Sequence, residues 1–433
     1  MRMRSSKSFC CFADSPPGTP PLPAAAAALI PSNHCTGADP LSRSLRIFIF
    51  FVPACGGRRL CALQMAPSEL AKAVVHKLAA QHLREGDGYL VRRAVGGLDQ
   101  SDGDVFGEQG FGPDETDPFL LVDELPLAVF APDEHRGAHL HPRLGMLSAT
   151  YLRQAPAEAS WAYETHITGP AIPGESARPA DAVKPGTLRQ GECLWVNAGE
   201  GMHLSEAGYT GGQATAGLEQ SQSSRGCVHA FQWWVSLPVA VRGDPASVQV
   251  TAATEVECTP RVSARVLAGV CTPHGSSGPK ITPTPGQARG AAGCQFSAPP
   301  FAGIQVIDFT VGPEAAFEHN LPATHTTALV YIYAGVFEVG ARRELAREGE
   351  TCLLSRHQSA VWFRNAGSHA DGGLLLLAGE PLQQAVCRHG TLVCGSRQGL
   401  KQATLNLHRG NFPPRQLVSL NLGAEAFPPR GIS

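Results

Sequence analysis

The sequence predicts an all-β chain built from two tandem barrel or sandwich units, and three observations carry that prediction. Glycine (47) and proline (35) are abundant while charged residues make up only 17%. That balance suits short strands joined by turns better than long surface helices. Short apolar segments broken by Gly, Pro and Asn follow one another as FLLVDEL, LSATYL, ECLWV, HAFQWWVSL and SARVLAGV. The pattern then starts afresh at GIQVIDFTV and runs through ALVYIYAGVFEV, TCLLS, SAVWFRN and LLLLAGE, so the β-unit occurs twice.

Taken in order, residues 1–64 differ in kind from the rest. MRMRSSKSFCCFADSPPGTPPLPAAAAALI is rich in Arg, Ser, Ala and Pro and poor in acid, which reads as an organellar transit peptide. The competing reading starts translation at Met65 and treats the leader as an artefact of the gene model. Either way these residues are expected to stay outside the fold, and the run LRIFIFFVPAC within them is too short to span a bilayer. From Met65, MAPSELAKAVVHKLAAQHL predicts a capped amphipathic helix over 65–84 that begins near Ser68. The first β-unit is expected over 85–255, a Gly/Pro-rich linker and long loop over 256–298, the second β-unit over 299–412, and a tail over 413–433. Two segments, 169–186 and 209–226, are small and polar with no period and read as disordered insertions. Near the end, SRQGLKQATLNLHRGNF predicts a short helix with Leu400 and Leu405 on its buried side.

Charge and cysteine usage narrow the function classes. Lys and Arg number 35 against 37 Asp and Glu, so no broad basic field exists to bind nucleic acid non-specifically. No partner of that kind and no membrane are expected. Of 13 cysteines, five precede residue 65 and the other eight are scattered without a C-x-x-C pair. They read as buried thiols of a reducing compartment rather than a zinc ribbon or a disulfide framework.

One short stretch raises a question of chemistry. HLHPRLGM carries His139 and His141 one residue apart, and a strand turns such a pair to one face. Neutral imidazole suits iron, copper, nickel or zinc, and a third nitrogen with a carboxylate would complete an oxygenase-type set. Downstream, GECLWVNAGEGMHLSEAG supplies His203 and Glu206. Two of the three strand tryptophans Trp195, Trp233 and Trp234 are expected in the core, with one free to line a pocket. Glu164 and His166 read as a solvated turn, Glu124 as structural, and Cys193 and Cys227 as buried apolar side chains. In the second unit His319 and His325 are expected in loops.

At this point the chain resembles the pirin family, two-barrel members of the cupin superfamily. The stretches that carry the resemblance are GYLVRRAVGG (88–97), DPFLLVDEL (117–125), GECLWVNAGEGMHLSE and HAFQWWVSLP (229–238), then ARVLAGV, LVYIYAGVFEVG, LLLLAGEPLQQAV and RHGTLV. Together they span about residues 85–412. The resemblance implies two jelly-roll barrels, with one non-haem iron in the first and none in the second. It also implies ligands from His-Pro-His-Arg-Gly and a later Gly-x-x-His-x-Glu. Members open flavonols such as quercetin with dioxygen, and one acts as an iron-dependent transcriptional co-regulator. A flavonol-like small molecule or a transcription-factor or signalling partner is therefore expected, with Fe(II) as cofactor and a monomer in cytoplasm or nucleus. A plastid or mitochondrion is the alternative if the leader is a true transit peptide.

Both ligand stretches depart from the family pattern. In the second, the family spacing puts Glu206 on the carboxylate and Leu204 on the histidine, with His203 one residue early and so on the opposite face unless a bulge intervenes. In the first, two registers compete. Holding the following strand SATYL fixed gives His141 the first histidine position and puts Arg143 on the second. Holding the His-x-His pair fixed keeps His139 and His141 as ligands, but two residues must loop out before Gly145. A further candidate, His135 in HRG, lies too far upstream without a larger loop. The pair register gives a set of His139, His141, His203 and Glu206, with Glu206 also placed as catalytic proton acceptor. The strand register leaves His141 and Glu206, with Arg143 paired to Glu206 in place of a metal.

Overall fold

The computed structural model describes residues 65–86, 88–96, 110–129, 135–155, 159–167, 182–210, 227–271 and 303–412. The leader, most of both insertions, residues 272–302 and the tail lie outside the described residues. The described strands are β1 (Val74–Ala79), β2 (Gln81–Glu85), β3 (Tyr89–Val95), β4 (Phe119–Val129), β5 (His135–Arg143), β6 (Met146–Gln154), β7 (Ala159–Ile167) and β8 (Ala182–Leu188). They continue as β9 (Glu192–Asn197), β10 (Met202–Thr210), β11 (Cys227–Ser236), β12 (Ser247–Ala252), β13 (Thr254–Thr259), β14 (Val262–Ala268), β15 (Ile304–Val311) and β16 (Ala316–Asn320). The last are β17 (Thr327–Ala334), β18 (Val336–Val339), β19 (Glu344–Arg347), β20 (Glu350–Leu354), β21 (Ala360–Asn365), β22 (Gly372–Gly379), β23 (Cys387–His389) and β24 (Leu392–Cys394).

Each barrel pairs a large sheet with a small one. In the N-terminal barrel the order β12-β9-β6-β11-β4-β3-β2 faces β5-β10-β7-β8; in the C-terminal barrel β1-β20-β17-β22-β15-β14-β13 faces β16-β21-β18-β19. The two large sheets also pack on each other. Alternation along β11 sends Val228, Ala230 and Trp234 into the N-terminal barrel and Phe231, Trp233 and Val235 toward the other barrel. Along β22, Leu374 and Leu376 point into the C-terminal barrel, while Leu375 and Leu377 meet the N-terminal one. Both faces of these strands are buried, which is why LLLLAG reads as an unbroken apolar run rather than an alternating one.

Two reciprocal polar struts cross this apolar seam. Glu124 of β4 accepts from the Tyr331 hydroxyl of β17, and lies 2.9 Å from His229 Nε2 and 3.1 Å from Arg92 Nε. Asp308 of β15 accepts from Tyr151 of β6 at 3.0 Å and from Tyr333, with Arg153 Nε at 3.2 Å. Burial first, and then the adjacent carboxylates, push the Tyr151, Tyr331 and Tyr333 phenols up, so they donate and do not ionise.

Four expectations are corrected. The helix over 65–84 is replaced by β1 and β2, with β1 paired along β20 from Val74↔Leu354 to Ala79↔Glu350. Val74 and Val75 are stiff β-branched residues, and an open sheet edge satisfies their backbone better than an isolated short helix does. The N-terminal arm thus completes the C-terminal barrel. The expected linker from 256 begins as strands, since β13 and β14 add to that barrel's large sheet. His319 lies in β16 and not in a loop, whereas His325 does fall between strands. The C-terminal helix α1 (Arg397–His408) forms, and Ser396 Oγ caps it by accepting from Gly399 N–H at 3.2 Å. Leu400 and Leu407 pack against the cluster of Leu144, Leu392, Cys394 and Ala403, but Leu405 is exposed. Among the described residues no helix is long and apolar enough to cross a membrane.

Replacing one member of a strut strands its partners in a dry seam. Glu124→Ala should destabilise the protein by ~3–5 kcal/mol, read as a lowered denaturant midpoint, and unchanged stability would show the strut to be dispensable.

Candidate functional site

β5 and β10 run antiparallel with Met202 opposite Arg143, His203 opposite Pro142 and Leu204 opposite His141, and then Glu206 opposite Ala138. Between the last two pairs β5 spends two residues, His139 and Leu140, against Ser205 alone. That bulge sits in β5, not at His203. Its effect is to turn His139 and Leu140 to solvent, where both are exposed, while His141, Arg143, Leu204 and Glu206 share the inner face. Gly145, at φ +64, makes the turn that follows, and a side chain there would collide with the Val393 carbonyl.

At the centre is a buried guanidinium–carboxylate pair. Arg143 and Glu206 are 2% and 3% exposed, with Arg143 Nη2 donating to Glu206 Oε2 at 3.1 Å. Glu206 also accepts from Thr150 Oγ1 at 2.6 Å and from Gln232 Nε2 at 3.1 Å. Arg143 Nε donates to His141 Nε2 at 3.1 Å, and His141 Nδ1 donates to the His139 carbonyl at 2.7 Å. These contacts fix the His141 tautomer, with its proton on Nδ1 and an acceptor at Nε2. Loss of bulk water around the ring, and then the Arg143 charge, hold His141 down to about 3, so it stays neutral. Trp234 lies under the guanidinium, 5.5 Å from Arg143 Cζ to the ring centroid. The Tyr89 phenol nearby is raised by burial and then by Glu206. Arg143 Nη1 is buried with no hydrogen-bond acceptor among the described residues.

The structure brings together His141 and Glu206 from the sequence-predicted set, and Arg143 with them. His139 is on the solvent side of the bulge. His203 stands edge-on to Phe412, ring centroids 5.3 Å apart, and pairs across the sheet with His166. Trp195 and Trp233 pack on each other edge to face in the core, 5.5 Å apart. Cys193 is buried, its thiol pushed up by burial and then by Glu206. Thr150, Gln232 and Tyr89 were not singled out in the sequence. The readable signal was a polar residue at an inward position of an otherwise apolar strand, as Gln232 is between Ala230 and Trp234 of β11.

The iron that the family resemblance implies does not fit this donor set. Three of the carboxylate's hydrogen-bonding positions are already taken, and a fixed cation lies against it where a metal dication would have to sit. His141 Nε2, the one inward imidazole nitrogen, already accepts from that same guanidinium. Among the described residues no group of three or more His, Cys, Asp or Glu side chains is placed to hold a metal ion.

Comparison with known proteins agrees with the fold. Residues 306–413 match the family model of the pirin C-terminal cupin domain. A Pseudomonas aeruginosa protein named putative quercetin 2,3-dioxygenase is 26% identical over 303 residues, covering 68% of this chain and 86% of that one. A pirin-like protein of Solanum lycopersicum is 22% identical over 335 residues, covering 77% and 90%. The crystal structure of a quercetin 2,3-dioxygenase from Acinetobacter baumannii superposes with a TM-score of 0.56 at 20% identity, covering 79% of this chain and 98% of that chain. The chain is thus similar over its C-terminal barrel to the pirin C-terminal cupin domain, and over two thirds or more of its length to pirin-like proteins and putative quercetin 2,3-dioxygenases.

Proposed function

We propose that this protein is a metal-independent binding member of its family, and that the N-terminal barrel recognises an anionic aromatic oxygen such as a flavonolate. The observation that carries the reading is the Arg143–Glu206 pair, in which a guanidinium already neutralises the carboxylate. Arg143 cannot deprotonate to make room for a metal at any physiological pH. Its Nη1 N–H, buried without an acceptor, is the donor a phenolate would satisfy, since an unmatched buried charged donor costs ~1–3 kcal/mol. Trp234 under the guanidinium offers an apolar wall to an aromatic ring. The flavonol class is suggested by the names of relatives, three of which are called putative quercetin 2,3-dioxygenases.

Those names also favour a second reading, an Fe(II) dioxygenase. It needs His139 and His203 to turn inward and Arg143 to leave Glu206, giving His139, His141, His203 and Glu206 as ligands.

Metal analysis separates the two. Protein purified without a histidine tag or chelator should carry far less than one equivalent of iron, with or without Fe(II) reconstitution, and should not turn over quercetin. Quercetin should still bind, unchanged by chelator and weakened at least about tenfold in Arg143→Leu, by loss of one charge-assisted hydrogen bond. About one equivalent of iron with oxygen-dependent quercetin turnover would overturn the binding reading.

The converse substitution builds a site. Arg143→His combined with Leu204→His puts imidazoles at two inward positions beside His141 and Glu206, and this double variant should take up about one equivalent of divalent metal. Failure to bind metal while folded would show that more than Arg143 and Leu204 separates this barrel from a metal site.

His141 gives a pH signature. Its folded value, about 3, lies below the ordinary 6.5, so the unfolded chain binds the additional proton. Its contribution is complete above 6.5 and is lost as pH falls toward about 3. His141→Asn should flatten that acid limb in denaturant midpoints measured across the window, and an unaltered pH profile would refute a neutral His141.

A further inference from the structure

A second cluster lies in the C-terminal barrel, away from the Arg143–Glu206 pair. Cys258 of β13 and Cys271, just beyond β14, are both buried with their sulfurs 3.6 Å apart and hydrogen-bonded. They are thiols, not a disulfide. Gly269, at φ +84, turns the chain back so that Cys271 comes beside β15 and β16, and a side chain there would strike Gln305. His319 of β16 is close enough to Cys271 to draw its thiol down, and His319 Nε2 lies 2.9 Å from Gln305 Oε1. Nucleophile, base and orienting amide thus follow in line, with a second thiol in contact with the first. Hydrogen bonding from Cys258, with help from His319, pulls the Cys271 thiol down against its burial, while Cys258 is pushed up. Glu257 and Thr259, the neighbours of Cys258 on its strand, point to the opposite face of β13 and line a groove of about 1050 Å³ there.

We infer that Cys258 and Cys271 form a peroxide-reactive dithiol that closes to an intramolecular disulfide, with Cys271 as the attacking sulfur and Cys258 as the resolving one. The substrate class is a small hydroperoxide. His319 takes the Cys271 proton, and the thiolate attacks one peroxide oxygen, so an S–O bond forms as the O–O bond breaks. The leaving hydroxide takes the proton back from His319 as water. Cys258 then attacks the sulfenic sulfur, and the S–O bond breaks as the S–S bond forms. Its own proton leaves with the hydroxyl as a second water. Two thiols and one hydrogen peroxide give one disulfide and two waters, and the peroxide is the oxidant. Closure needs the sulfurs to approach by about 1.6 Å from their 3.6 Å separation, to a disulfide length of about 2.0 Å.

The test uses the full chain, reduced, freed of reductant under nitrogen and treated with equimolar hydrogen peroxide. It is then denatured, alkylated and mapped by peptide mass spectrometry. A Cys258–Cys271 cross-linked peptide, lighter by two hydrogens than the reduced pair, is the expected product. In Cys258→Ser the sulfenic acid should persist on Cys271 and be trapped by dimedone. His319→Ala should slow wild-type-like cross-linking about tenfold or more by removing the base, whereas a packing role for His319 would leave the rate unchanged in the folded variant. Cys387 and Cys394, register partners on β23 and β24, provide an internal comparison. Cross-linking there while Cys258 and Cys271 stay reduced, or sulfinic acid on Cys271 without a cross-link, would overturn the inference. The wild-type peptide map decides the matter even if a variant does not fold.

Discussion

A carboxylate taken out of water must be met by positive charge or by several donors, and the buried acids of this protein follow that constraint one by one. Asp123 is held by both nitrogens of a fork from Arg93, at 2.8 and 2.7 Å. Glu124 meets Arg92 of its own sheet and Tyr331 across the seam between the barrels, and Asp308 meets Arg153 and Tyr151 across it. Glu206 faces Arg143, Thr150 and Gln232 inside the N-terminal barrel. In each case the acid is paired with a residue on a different strand, so the ion pairs also fix which strands lie together. Isolated pairs of this kind add little net stability, but removing one partner is costly. Their value is therefore in specifying the arrangement, and at Glu206 the arrangement decides the chemistry. The counter-charge beside Glu206 is supplied by a side chain, and on the function proposed above the remaining Arg143 Nη1 donor is the group that meets an anionic ligand.

Much of the architecture was legible because the strands bury whole faces. Segments such as LLLLAG and HAFQWWVSL lie between two cores, so apolar residues crowd every position and their length and turn punctuation identify them. The doubling of the pattern gave the two barrels. The N-terminal arm was less legible, since VVHKLA fits a helical stripe and a strand equally well. What decides it is the free edge of β20, a feature some 270 residues away that no local window contains. The same holds for β14, whose partner β15 comes only after residues 272–302.

The site was legible in part. Glu206 and His141 stood out through their spacing, and the strand register already put Arg143 next to Glu206. The alternative register required two irregularities to coincide. The structure contains one, and it falls in β5 at His139–Leu140, where it turns His139 outward. Thr150 and Gln232 come from β6 and β11, distant in sequence, and only their polarity at inward positions marked them. The dithiol was hidden for a different reason. Cys258 and Cys271 have no motif spacing, and their meeting depends on one positive-φ glycine and on His319 arriving from β16.

The most direct test of the account is a crystal structure of the protein grown with excess Fe(II) under anaerobic conditions, with an anomalous map recorded at the iron edge. The account predicts the Arg143 guanidinium within hydrogen-bonding distance of Glu206 and no anomalous peak between β5 and β10. An iron peak at coordination distance from Glu206, with Arg143 swung aside and His139 or His203 turned inward, would contradict it.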